Sequence, residues 1–144
     1  MQPEIYSFTK DEKGVFRPFI PMRITNPDTN QSMLVMALLD TGADDCLFPQ
    51  VCADNTGHNL KGEGVETKVN QGAGANQVPV WKHTFILEIF DAKRQKIVWK
   101  CKPRLISCLD HNSAPPLLGW EGCMENFNIR FNYPTKRIII EFPK

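Results

Sequence analysis

The chain carries almost no excess of charge: 17 Lys and Arg stand against 16 Asp and Glu in 144 residues, for a formal net charge of +1. That balance gives no electrostatic reason to expect a nucleic-acid or anionic-membrane partner. Long apolar runs are missing too. No stretch approaches the roughly 20 apolar residues of a membrane-spanning helix. The opening "MQPEIYSFTK" has no basic segment followed by an apolar one, so it does not read as a secretory leader. A soluble, cytoplasmic protein is the expectation. The cysteines Cys46, Cys52, Cys101, Cys108 and Cys123 are odd in number and include no C-x-x-C pair. This argues against a disulfide framework and a structural zinc site, and leaves reduced thiols. Cys46 reads as a small packing residue. His58, His83 and His111 are scattered without metal-ligand spacing, so they read as structural or surface residues, with no metal and no cofactor expected. Repeats, low-complexity tracts and linkers are also lacking, and residues 1–144 read as a single domain.

What the sequence does contain is strands. "VFRPFIPMRI" (15–24) and "SMLVMALLD" (32–40) are apolar runs separated by "TNPDTNQ", a cluster of turn formers, which predicts a hairpin. Residues 66–90 repeat the pattern at greater length: a strand, a Gly-Ala-Gly tip, then a strand alternating through Val80, Phe85, Leu87 and Ile89. "KIVWKCKPRLIS" (96–107) is a further strand, which Pro103 makes an edge or interrupted one. The last section offers one short helix near 120–126, then "FNIRFNY" and "RIIIEF" as a terminal hairpin. The expected fold is all-β: one mainly antiparallel structure with little helix.

One turn departs from this pattern. In "LLDTGADDCLF" (38–48) an apolar strand runs directly into Asp40, and the chain then turns through Thr41, Gly42 and Ala43 before two more acids, Asp44 and Asp45. An Asp just past the end of a buried strand is held rigidly, and a turn of such small residues lets another backbone come close. Asp40 taken alone would merely cap a turn, as Asp commonly does. A second segment alters the reading. "APPLLGW" places Leu117-Leu118-Gly119 ahead of the candidate helix, an apolar strand able to pass beside the Asp40 turn.

Apolar-apolar-Asp-Thr-Gly-Ala followed by apolar-apolar-Gly is similar to the signature of the aspartic proteases, and a single copy resembles the retropepsin, or retroviral-type, branch. "ALLDTGADD" (37–45) carries the resemblance most specifically; "FRPFIPMRI" resembles the Arg-Pro and strand that precede it in that family. Gly72-Ala73-Gly74 falls where the family carries its glycine-tipped flap, and "PLLGW" where it carries its second apolar-apolar-Gly segment. The resemblance implies a closed β-barrel of the acid-protease type. It implies an aspartic endopeptidase acting on a peptide or protein substrate, and a homodimer, because one chain offers one Asp-Thr-Gly where two carboxylates are needed.

On that resemblance Asp40, Thr41 and Gly42 form the catalytic turn: Asp40 supplies the carboxylate, the Thr41 hydroxyl bonds across to the other chain, and Gly42 permits close approach. Ala43, Asp44 and Asp45 are implied in substrate binding, with Gly72, Ala73 and Gly74 over the substrate and Pro115, Pro116 and Leu117 beside it. Asp44 is implied to pair with Arg17 across the dimer, since Trp120 stands where retroviral members usually carry Arg or a polar residue. The C-terminal strand "RIIIEF" reads as a core strand and, by resemblance, joins an intersubunit sheet. Two functional classes remain open: the homodimeric endopeptidase, and a retropepsin-like module that has lost turnover and serves in peptide binding or dimerisation.

Overall fold

A computed structural model of the protein describes residues 2–71 and 77–143. The first hairpin forms where the turn residues predict it. Strands β4 (Phe19–Thr25) and β5 (Ser32–Leu39) pair antiparallel from Phe19 opposite Leu38 to Thr25 opposite Ser32. Asn26 builds their loop: its Oδ1 accepts the Asp28 N–H at 2.9 Å, its carbonyl accepts the Asn30 N–H at 2.8 Å, and Asn30 takes φ 58°, a left-handed conformation that Asn tolerates.

Strands β6 (Leu47–Phe48), β7 (Thr67–Gln71), β8 (Gln77–Phe90), β9 (Ile97–Lys100), β10 (Arg104–Cys108) and β11 (Leu117–Leu118) complete the main sheet. Its order runs β10-β6-β11-β5-β4-β8-β7, with β9 also on β8. Because β10 pairs with β8 as well as with β6, the sheet closes into a ring. The fourteen-residue β8 makes this possible by serving β4, β7, β9 and β10 along different parts of its length. The 96–107 segment is thus two strands, interrupted around Pro103, whose ring removes a ladder donor.

The ring encloses the core. Ile20, Met22, Ile24, Phe48, Phe85, Leu87, Ile89, Ile106 and Leu118 are all fully buried, and each such side chain contributes about 1.5–3 kcal/mol relative to its exposed state. A separate three-stranded sheet places β13 (Arg137–Glu141) between β1 (Glu4–Ser7) and β12 (Asn128–Asn132), burying Tyr6, Ile138 and Ile140 against the same core. β2 (Thr9–Lys10) and β3 (Phe16–Arg17) form a small ribbon.

One expectation is corrected here. The helix does not lie at 120–126, where the chain makes turns and a single 3-10 turn at Met124–Asn126; the one α-helix among the described residues is α1, Gln50–Asp54. It buries Cys52 and Ala53 and starts after Pro49 with no side-chain cap. β13, which reads from the sequence as a core strand and by resemblance as part of an intersubunit sheet, buries Ile138 and Ile140 and has both edges occupied within its own chain, by β1 and β12.

Candidate active site

Asp40 sits where two strands meet in parallel. β11 pairs alongside β5, Leu117 with Leu38 and Leu118 with Leu39, and the Asp40 N–H donates to the Leu118 carbonyl at 3.1 Å. Beyond that point β5 turns away. The Ala43 N–H donates to the Asp40 carbonyl at 3.1 Å, and the Gly42 N–H donates to Asp40 Oδ1 at 3.0 Å. The turn therefore holds its own carboxylate by a backbone amide, the Asx-type geometry that an isolated Asp-Thr-Gly predicts. Thr41 and Gly42 are exposed and Asp40 half-buried, so the turn presents the carboxyl group at the surface.

The descending chain then runs against the segment after β11. The Trp120 N–H donates to the Ala43 carbonyl at 3.1 Å and the Glu121 N–H to the Asp44 carbonyl at 2.9 Å. Gly119 is the point of closest approach: a Cβ there would lie 2.5 Å from the Asp45 carbonyl carbon and oxygen and 2.6 Å from the Asp44 oxygen. That is the physical reason for a glycine after the two leucines. Backbone meets backbone, and no side chain fits between.

Asp44 finds a partner that the sequence did not suggest. Its Oδ1 accepts the Trp120 indole N–H at 3.0 Å, so a hydrogen bond from an uncharged donor stands where the resemblance led to an ion pair. Arg17 is engaged elsewhere: its Nε donates to Asp11 Oδ2 at 2.7 Å, and that guanidinium hydrogen bond holds the half-buried Asp11 carboxyl below its usual range. Within one chain, then, Arg17 and Asp44 are not brought together, and a pairing across two chains would have to displace the Asp11 contact.

Gly42, Ala43, Asp44, Asp45 and Leu117 line one open cleft of about 460 Å³, together with Leu47 and the residues Lys68, Val69, Asn70 and Val78 of the β7–β8 hairpin. The hairpin pairs from Thr67 opposite Trp81 to Gln71 opposite Gln77; its tip, Gly72, Ala73 and Gly74, lies outside the described residues. Pro115 lines a different groove of about 680 Å³, with Arg17, Phe19 and Arg94 among its walls. Pro116 contributes through its backbone, its carbonyl accepting the Leu38 N–H at 2.8 Å. The cleft residues of the hairpin were not singled out from the sequence: the strand–tip–strand pattern over 66–90 gave a hairpin, and only the resemblance set its tip over the substrate. Thr41 faces another side, a shallow apolar recess of about 270 Å³ formed with Trp120, Met124, Phe127, Ile129 and Phe131. Among the described residues no group of three His, Cys, Asp or Glu side chains is placed to hold a metal, and no helix is long and apolar enough to cross a membrane.

The arrangement has relatives of known structure. A retropepsin-like aspartic protease from Rickettsia conorii aligns over 99% of this chain and 95% of its own at 17% identity, with a TM-score of 0.54. The retroviral protease-like domain of Ddi1 from Leishmania major aligns over 90% of this chain and 96% of its own at 12% identity, with a TM-score of 0.51. The fold is retropepsin-like. No protein-family model and no curated protein sequence matches the chain, so the kinship is one of architecture. In a retropepsin-like frame the closed ring, the parallel contact of β5 with β11 and the hairpin across the cleft fall into one scheme, with Asp40 at the crossing.

Proposed function

We propose that the chain is an aspartic endopeptidase that works as a homodimer, each copy contributing one Asp40. The observation carrying this reading is the placement of an Asp-Thr-Gly carboxylate at a backbone crossing with Leu117-Leu118-Gly119, beside a peptide-sized cleft, in a retropepsin-like fold. A two-fold axis near the Asp40 turn sets two such carboxylates about 3 Å apart, where they cannot both ionise and share one proton. The charged member takes a proton from a bound water as that water attacks the scissile carbonyl; the protonated member donates to the carbonyl oxygen. Any pH profile of cleavage then belongs to the pair.

In this reading residues 1–144 form one catalytic domain. Thr41 and Gly42 join Asp40 in the turn that meets its symmetry mate, while Ala43, Asp44, Asp45 and Leu117 bind an extended peptide, with Pro115 and Pro116 at its border. Gly72, Ala73 and Gly74 close over it. The substrate is a peptide or protein. The competing reading, a retropepsin-like module that dimerises or binds peptides without cutting them, shares the fold and differs in turnover.

The test is cleavage of a mixed peptide library by the wild-type chain and by Asp40→Asn, with the mass of each in solution. The wild type is expected to run as a dimer and cleave; Asp40→Asn, nearly isosteric, is expected to keep the fold and dimer and lose cleavage by on the order of a thousandfold or more. A statine-type peptide should bind the wild type far more tightly than the variant, because its hydroxyl takes the place of the attacking water. Cleavage retained in Asp40→Asn refutes the assignment. A dimer that binds peptides and never cuts moves the conclusion to the module.

A further inference from the structure

The cleft beside the Asp40 turn carries more negative charge than its walls neutralise. The chain entering β6 alternates: Cys46 and Phe48 are buried in the core, while Asp45 and Leu47 are half-buried and line the cleft, the two-residue period of extended backbone. Leu47 lies opposite Leu117 in antiparallel register, so their side chains share that face, and half-buried Val78 of the hairpin adds a third apolar wall. The cleft of about 460 Å³ is thus apolar on several sides with a carboxylate among its walls.

The charged residues in these walls are Asp44, Asp45 and Lys68. Asp44 is already engaged, its Oδ1 accepting the Trp120 indole N–H. Lys68 stands at an exposed position on the hairpin and offsets one carboxylate, which leaves one negative charge over. Asp45 makes no side-chain hydrogen bond and no ion pair among the described residues. A half-buried carboxylate keeps only part of its hydration, and a cationic donor brought to it restores what water no longer supplies.

We propose that this cleft selects a lysine or arginine side chain of the bound peptide, and that Asp45 sets the choice. The aliphatic stem lies along Leu47, Leu117 and Val78, and the charged end donates to the Asp45 carboxylate. Lys and Arg alone among side chains combine such a stem with such an end. A glutamate in the same place brings an acceptor to an acceptor and adds to the surplus charge, so it is selected against. In the proposed homodimer the two-fold axis repeats the cleft, and the preference falls on both sides of the scissile bond. The inference rests on the peptide-binding part of the proposed function and is independent of turnover.

The experiment uses the full-length chain and a series of statine-centred peptides in which each flanking position in turn carries Lys, norleucine or Glu, with affinity read by fluorescence anisotropy. Norleucine keeps the Lys stem and lacks its charge. The expected result is a position on each side of the statine where Lys binds about tenfold tighter than norleucine, the effect of a charge-assisted hydrogen bond, and where Glu binds more weakly than norleucine. Raising the ionic strength should shrink the Lys advantage. In Asp45→Asn the Lys and norleucine peptides should bind alike, and in Asp45→Lys the order of Lys and Glu should invert. Each variant is read as a ratio between its own peptides, so a general loss of affinity does not enter. Should Asp45→Lys not fold, the nearly isosteric Asp45→Asn decides alone. No Lys advantage at any position, a Lys advantage that survives Asp45→Asn, or a preference for Glu set by Lys68 would each overturn the inference. The same substitutions in cleavable peptides separate it from the proposed activity. Cleavage without a Lys advantage overturns this inference alone, whereas a Lys advantage in binding without cleavage upholds it and moves the chain to the module reading.

Discussion

The crossing at Asp40 and the loop that follows α1 do similar jobs by opposite means. At the crossing, amides and carbonyls of residues 38–45 and 116–121 bond directly to each other, with one side-chain bond, Trp120 to Asp44, laid beside them. In the loop, side chains hold the backbone. Asn26 Nδ2 and Thr29 Oγ1 donate to the Thr56 carbonyl at 2.9 and 2.8 Å, and Thr56 Oγ1 donates to the Cys52 carbonyl at 2.7 Å. His58 Nε2 bonds the Thr84 carbonyl at 2.8 Å and His83 Nε2 the Leu60 carbonyl at 2.9 Å, with the two rings 4.6 Å apart. Main-chain bracing fixes position tightly and tolerates no added atom. Side-chain bracing tolerates backbone variation and depends on amides, hydroxyls and imidazoles that can be deleted or titrated.

Gly119→Ala should break the comparison most severely on the crossing side. Its Cβ would meet backbone rather than a side chain that can rotate away, so a loss of at least about 3 kcal/mol is expected in urea denaturation. A loss under half that size would mean the crossing can slide apart. On the loop side, Asn26→Ala removes one of two donors to Thr56 and the acceptor for Asp28. The expected loss is about 1–3 kcal/mol in the same measurement, because Asn26 is buried.

Trp120→Phe keeps an aromatic ring and deletes the indole N–H that serves Asp44. With Trp120 45% exposed, water replaces much of that bond, and a loss of about 0.5–1 kcal/mol is expected. The finest effect is one of pH. Burial, aided by the neighbouring His83, holds the His58 imidazole below its ordinary 6.5 despite the Thr84 carbonyl and Asp28. As pH falls through that value the unfolded chain binds the proton first, so stability declines from there downward until the folded imidazole also titrates. The melting temperature should therefore drop in the window between the ordinary histidine value and the carboxylate range. His58→Gln should flatten that slope, and an unchanged slope would locate the sensitivity elsewhere.

The crossing was legible because its requirements are written in consecutive residues. Leu38-Leu39-Asp40-Thr41-Gly42 and Leu117-Leu118-Gly119 each encode strand, turn and close approach in one short run, and the β4–β5 hairpin announces itself through the turn formers of 25–31. The loop was not legible, because its bonds join residues far apart, such as Asn26 to Thr56 and His83 to Leu60. α1, five residues without a side-chain cap, is too short to show helical periodicity. The interruption of 96–107 was legible in Pro103, but which strands its two halves join, β9 on β8 and β10 on β8 and β6, is a tertiary decision. The replacement of an ion pair by Trp120 at Asp44 was half visible: the missing charge could be read, but the reach of the indole could not.

The placement of β13 between β1 and β12 bears on how the chain folds. Glu4 faces Ile140 and Ser7 faces Arg137, so β1 has no ladder partner among its neighbours in sequence and must wait for one far along the chain. Tyr6, whose hydroxyl donates to the Phe90 carbonyl at 2.6 Å, waits with it. Pairings this distant in sequence carry a high loop-closure cost and slow folding. The β4–β5 hairpin joins residues close in sequence and closes at low entropic cost, whereas β1 and β13 must find each other across most of the described residues. The three-stranded sheet is therefore expected to close late in folding, against a ring already begun.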